Sequence, residues 1–410
     1  MINIQYYIIL FCCLAIFACD TESTIDPNFE NYFIKYYGND GNQTGVDIVS
    51  LPDGFALLGT DVSSLGGSQL LLVRTDDVGN EQWSVNVGGS SIEANALALD
   101  NSGNFVLLGT HTVSNSDKDV VVIRVSPDGS QLDSIGFGTT DTIEEGHDLT
   151  ITSGGDIILV GSTTNVDQSK PNYNVATDLK DIYSVRLDAN FIPYTPTNWR
   201  RVSGFPGIEE GASILEKSDG TFLFFGTTDR PPSSSQKDGF NMFLYPAGND
   251  GEALSITSLQ LFGTLSDESG NEMVQTVDGG FIMIGTSSTG ASNSDIFLAR
   301  VRSNNDFISS SVLNSGRNLS GVSIQESTRG GLILLGRELE NNTNNIYLAR
   351  ASVDGSLIWE QSFGGIDDDD PGRVIEGVDG SIILSGTIEL ESQTKMCLIK
   401  VNALGELKPI

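Results

Sequence analysis

Asp278-Gly279-Gly280-Phe281-Ile282-Met283-Ile284-Gly285, followed by Asp295-Ile296-Phe297-Leu298-Ala299-Arg300, is the stretch on which the fold turns. Asp-Gly and Gly-Gly supply the positive φ angles that a two-residue hairpin needs. The unbroken apolar runs on either side suit short strands covered on both faces. Asp53-Gly54-Phe55-Ala56-Leu57-Leu58-Gly59 repeats the first half, and Asp119-Val120-Val121-Val122-Ile123-Arg124 and Asn345-Ile346-Tyr347-Leu348-Ala349-Arg350 repeat the second.

Aligned on the glycine that ends the apolar strand, the chain falls into seven copies, at Gly59, Gly109, Gly161, Gly226, Gly285, Gly336 and Gly386. A period of about fifty residues marks a repeat architecture. The two longer intervals carry insertions at 162–180 and 227–239, the second with Pro231-Pro232; a serine-rich loop follows at 286–294. Each copy reads as four strands: an alternating first, as in Ala94-Asn95-Ala96-Leu97-Ala98-Leu99, two apolar middle strands, and a polar fourth, as in Trp359-Glu360-Gln361-Ser362-Phe363-Gly364.

The last copy ends at Leu404-Gly405-Glu406-Leu407-Lys408-Pro409-Ile410 without a fourth strand, while Phe33-Ile34-Lys35-Tyr36-Tyr37-Gly38 has the fourth-strand pattern and precedes the first copy. Placing that segment in the last sheet removes an open edge and locks the chain into a ring. The expectation is all-β: a seven-bladed β-propeller of four-stranded blades over residues 32–410, closed by N-terminal strand pairing with the last blade.

The recurring Gly-Gly, an acidic residue, Asp-Gly-Gly-Phe-Ile-x-x-Gly-Thr and Asp-x-x-Leu-x-Arg resemble the bacterial β-propeller repeat families of secreted and cell-surface proteins. That resemblance spans nearly the whole chain after the leader and implies a fold and an exported location. It implies no single activity, because fold does not decide function.

Residues 1–18 hold no charged side chain and carry an apolar run that ends Ile16-Phe17-Ala18-Cys19. This reads as a lipoprotein signal peptide, with Cys19 the lipidated first residue of the mature chain and 19–31 a polar tether. An ordinary cleaved signal peptide or an uncleaved anchor is the alternative, since no Lys or Arg precedes the apolar run. After removal of Cys12 and Cys13 and lipidation of Cys19, Cys397 alone remains, so no disulfide framework forms within the chain.

A net charge of −32 opposes binding to nucleic acid or anionic head groups through a basic surface, and no nucleic-acid partner is expected. The expected contact with a membrane is the lipid anchor only, in the cell envelope, periplasmic or at the cell surface.

Arg74, Arg124, Arg186, Arg300, Arg350 and Lys400 share one position, with Pro246 in the fourth copy. They read as structural partners of strand-end carbonyls and carboxylates. Glu93, Glu145, Glu210 and Asp370 align just before the first strand, with Glu268 one place off and Gln43 and Ser320 breaking the series. These loops open on the same face as the long insertions, so that top face, with His111 and His147, is the candidate binding surface. Asp367, Asp368, Asp369 and Asp370 are weak candidates for calcium, lacking EF-hand spacing; no other cofactor is expected.

No nucleophile elbow, phosphate loop, zinc spacing or dinucleotide fingerprint occurs. The expected function is a non-catalytic binding or scaffolding module for a glycan or envelope protein. The alternative is a polysaccharide-active enzyme using top-face carboxylates such as Glu145, Glu210 and Asp370.

Overall fold

The computed structural model describes residues 31–64, 66–170, 172–194, 199–230, 239–251, 258–290 and 293–408. Cys19, the leader and nearly all of the tether lie outside these. Seven antiparallel sheets follow one another along the chain. Blade 2 shows the plan: Ile92–Leu99, Phe105–Ser114, Asp117–Val125 and Gln131–Phe137, paired in sequence order from the axis outward. The innermost strands of blades 1 and 3 to 7 are Asp47–Leu51, Glu144–Ile151, Glu209–Glu216, Asp267–Gln275, Leu319–Glu326 and Asp370–Glu376. Asn42–Gln43 extends the innermost position of blade 1.

Blade 7 is composite. Its outermost strand is Phe33–Tyr37, antiparallel to Gln393–Val401, with Phe33 opposite Lys400 and Tyr37 opposite Met396. Tyr37 donates its hydroxyl to the Gly79 carbonyl of blade 1 at 2.7 Å, and Lys395 Nζ donates to the Asn39 carbonyl and Gln43 Oε1. Head and tail are therefore held to each other and to the next blade.

The seven repeated glycines have a steric cause. In blade 3, for example, the first strand carries a bulge between Gly146 and Asp148, leaving His147 as the extra residue. The bulge pushes the preceding carbonyl against the second strand. A Cβ on Gly161 would overlap the Glu145 carbonyl oxygen, and one on Gly59, Gly226 or Gly285 would overlap that of Thr44, Glu210 or Ser269. Close backbone approach, not a positive φ, demands glycine there.

Middle strands are buried on both faces, because each blade packs on its neighbours. One apolar cluster fills each junction: Leu58, Leu72 and Leu107 join blades 1 and 2, for instance, and Phe225, Met283 and Phe297 join blades 4 and 5. Polar links run alongside. The hydroxyls of Thr60, Thr110, Thr227, Thr286 and Thr387 each accept a backbone N–H of the following blade, from Ala94, Gly146, Gly270, Gly321 and Gly45. At the opposite face, the carboxylates of Glu216, Glu326 and Glu376 accept N–H groups of the preceding blade, from Ser153, Val277 and Thr328. Each such bond contributes about 1 kcal/mol net.

The recurring cations are structural, as expected. Arg74 pairs with Asp53, Arg186 with Asp156 and Arg300 with Asp278. Arg124 binds Asp133 and reaches the Ala189 carbonyl, and Arg350 donates to Ser327 and to the Gly330 carbonyl. Lys400 reaches the Asp77 carbonyl of blade 1.

Candidate functional site

A cavity of about 700 Å³ opens on the axis at the face where first strands begin and second strands end. All seven blades line it. Glu93, His147, Glu210 and Asp370, expected at this face from sequence, are among its walls, together with Asn95, Asn271 and the hydroxyls of Thr44, Thr60, Thr227 and Thr387. Among the described residues, no Phe, Tyr or Trp side chain lines it.

Two expected residues stand outside the cavity wall. Glu145 lies between cations, accepting from Lys118 Nζ at 2.7 Å with Lys180 Nζ at 3.8 Å. Partial burial pushes its carboxyl up, but the hydrogen bond and charge of Lys118, with the charge of Lys180, hold it below the usual range. His111 stands at the second-strand end opposite Asp119 and does not join His147 in the cavity, so the two histidines form no common site. Two carboxylates that do line the rim are engaged: Glu210 pairs with Lys180 at 2.7 Å and Asp370 with Arg337 at 2.6 Å. Glu93 is exposed.

His147 is held firmly. Its Nδ1 lies 2.7 Å from the Gly211 carbonyl of blade 4. A carbonyl only accepts, so Nδ1 carries the proton and Nε2 is the free nitrogen.

The acidic series resolves into two. The register aligns Glu93, Glu145, Glu210, Ser269, Ser320 and Asp370, with Thr44 rather than Gln43 in the first copy. One place earlier stand Gln43, Ile92, Glu144, Glu209, Glu268, Leu319 and Asp369, turned into the protein. Glu144, Glu209 and Glu268 accept from the hydroxyls of Thr163, Thr228 and Ser287. They also accept backbone N–H groups of their own entry loops, from Thr139, Phe205 and Thr264. Glu268, one place off by count, belongs to this buried structural set. Burial drives the Glu209 carboxyl up to about 8.

Three of the four aspartates of the run, Asp368, Asp369 and Asp370, are engaged in the same way. Asp369 accepts from the Gly365 and Glu389 amides and Asp368 from the Asn344 amide, while Asp370 faces Arg337. Among the described residues, no group of three or more His, Cys, Asp or Glu side chains is arranged to hold a metal ion.

The floor of the cavity went unread in the sequence. The residue after the bulge in each blade is Asp47, Ala96, Asp148, Ser213, Glu272, Ser323 or Arg373, in blade order. Arg373 of blade 7 lies 2.6 Å from Glu272 of blade 5 and 3.4 Å from Asp47 of blade 1. Asp47 accepts the Leu97 N–H of blade 2, Asp148 the Ile214 N–H and Ser213 hydroxyl of blade 4, and Glu272 the Ile324 N–H of blade 6. Burial raises all three carboxyls, and the Arg373 charge opposes it. The nearby Glu272 charge in turn drives the guanidinium further up, against its own burial.

No family model and no curated protein matches the chain. Solved structures do match. An ulvan lyase, a polysaccharide lyase, is 9% identical with a TM-score of 0.57, over 92% of this chain and 97% of the lyase. A glucose dehydrogenase is 12% identical at 0.42, over 90% and 99% of the two chains. A protein of unknown function from Bacteroides caccae is 10% identical at 0.42, over 78% and 94%. At such identity the likeness to the lyase is one of fold alone: the chain is a seven-bladed β-propeller, and its activity is not thereby determined.

Proposed function

We propose that the chain is a lipid-anchored, extracytoplasmic binding module, tethered through Cys19, whose axial cavity takes a hydrophilic glycan or a polar side chain of an envelope protein. The cavity carries this reading. It is walled by hydroxyls, amides and carboxylates that hydrogen-bond a polar ligand, on a rigid ring whose variable insertions leave the second strands at the same face. Its carboxylates outnumber its cations, and with a net charge of −32 the whole molecule repels polyanions. A charged polymer with anionic groups on each repeat is therefore disfavoured as ligand.

The catalytic alternative rests on His147, whose fixed Nδ1–H leaves Nε2 free as an acceptor beside the carboxylate-lined cavity. Against it, Glu145 is outside the cavity wall, and Glu210 and Asp370 are neutralised by Lys180 and Arg337.

The test is a screen of purified protein against neutral, amino and acidic glycans and against envelope extracts, repeated with Ala212→Trp, which fills the cavity from blade 4. Binding that Ala212→Trp abolishes is the expected result. No ligand, or a ligand held equally by the filled variant, overturns the reading; turnover of a bound glycan that His147→Gln removes establishes the enzyme instead. Anchoring is tested separately by incorporation of labelled palmitate, which Cys19→Ala should abolish.

A further inference from the structure

Four of the seven post-bulge positions carry charge: the carboxylates Asp47, Asp148 and Glu272 fall on blades 1, 3 and 5, and Arg373 stands on blade 7, next to blade 1 across the closure. Blades 2, 4 and 6 offer Ala96, Ser213 and Ser323 instead. Each carboxylate also accepts a backbone N–H from the next blade, so Arg373 acts on groups that already join blades 1 to 2, 3 to 4 and 5 to 6. Ser323 extends the chain by accepting the Val374 N–H, which returns it to blade 7. Blade 7 is the blade completed by the N-terminal strand.

We propose that Arg373 is a charge latch on ring closure: its guanidinium lets the three floor carboxylates ionise together, so that without it the closed ring holds only when the floor has taken up protons.

The other ionisable groups facing the floor do not substitute for it. Blade 2 presents Glu93, blade 4 Glu210 and blade 7 Asp370, all acidic, blade 3 adds His147 and blade 6 nothing ionisable. Among the described residues, Arg373 is thus the sole arginine or lysine in the cavity wall, against three carboxylates at its floor. Burying like charges together is unfavourable unless a counter-charge or a proton is supplied.

The sign follows from linkage. A carboxyl raised in the fold keeps its proton to higher pH than in the unfolded chain, so stability falls as pH rises from the ordinary carboxyl range towards the folded value. Removing Arg373 moves that value up and lengthens the fall. The experiment is a thermal midpoint for the full mature chain between about pH 5 and pH 8. Arg373→Met should lose at least about 5 °C more than wild type across this range. Adding Asp47→Asn and Glu272→Gln to it should flatten the profile, and Arg373→Lys should follow wild type. Asp47→Asn with Glu272→Gln in the presence of Arg373 should give a flatter profile than wild type, a comparison that does not depend on Arg373→Met folding. Parallel profiles for wild type and this double variant, or for wild type and Arg373→Met, overturn the proposal.

Discussion

Single residues explain why this repeat is regular in some places and not in others. The hydroxyl after the repeated glycine takes an amide of the next blade in five copies, yet Ser162, at the same position in blade 3, is buried without a hydrogen-bond partner. His147 bridges that junction instead, through the Gly211 carbonyl. An unpaired buried hydroxyl costs free energy that a paired one does not. Ser162→Ala should therefore be neutral or stabilising, whereas Thr110→Ala should cost about 1 kcal/mol, measured by chemical denaturation. Equal losses from both would contradict the assignment. Glu209 offers a second case. Its folded value of about 8 lies above the unfolded one, so its contribution is complete at low pH and disappears as pH climbs towards 8. Relative to wild type, Glu209→Gln should gain in thermal midpoint between about pH 5 and pH 8; a difference that does not change with pH would remove Glu209 as the cause.

Among the elements, the N-terminal strand bears most on integrity. Without Phe33–Tyr37 the strand Gln393–Val401 would present unpaired backbone groups and lose the apolar cover of Phe33, Ile34 and Tyr37. Deleting residues 31–38 should give, by light scattering, species larger than the undeleted protein, and a synthetic peptide of that segment should restore the original size. An unchanged size and thermal midpoint after deletion would refute this. The strand was legible in the sequence because the closing segment copies the fourth-strand spacing of Trp359 to Gly364, and apolar runs and glycine turns do not depend on distant partners. The floor was not legible. Asp47, Asp148, Glu272 and Arg373 differ from copy to copy, so alignment conceals them; only their place two residues after Gly45, Gly146, Gly270 and Pro371 marks them, and reading that needs the bulge. The acidic rim was legible by counting back from the second strand: Glu93, Glu145, Glu210 and Asp370 share one register and Glu268 stands one place off, while only Gln43 was misplaced, Thr44 being its register mate.

Taken whole, the molecule balances seven apolar junctions against a strong excess of like charge. Self-repulsion opposes compactness and is screened by salt, most effectively beyond a Debye length of about 10 Å at 0.1 M. The thermal midpoint should rise from about 10 mM to about 300 mM sodium chloride, and a flat response would show that the local pairs already neutralise the field.

The path of the closing strand has one more consequence. Phe33 begins it beside Lys400, at the turns opposite the cavity, and the chain leaves again past Asn402 on that same side. Whatever grips the amino terminus thus holds the ring by its back. An anchor at Cys19, on a leash of fourteen residue steps reaching at most about 50 Å when extended, would be tied to the base of the ring, leaving the open mouth at the end farthest from the point of attachment, like a cup held by its foot.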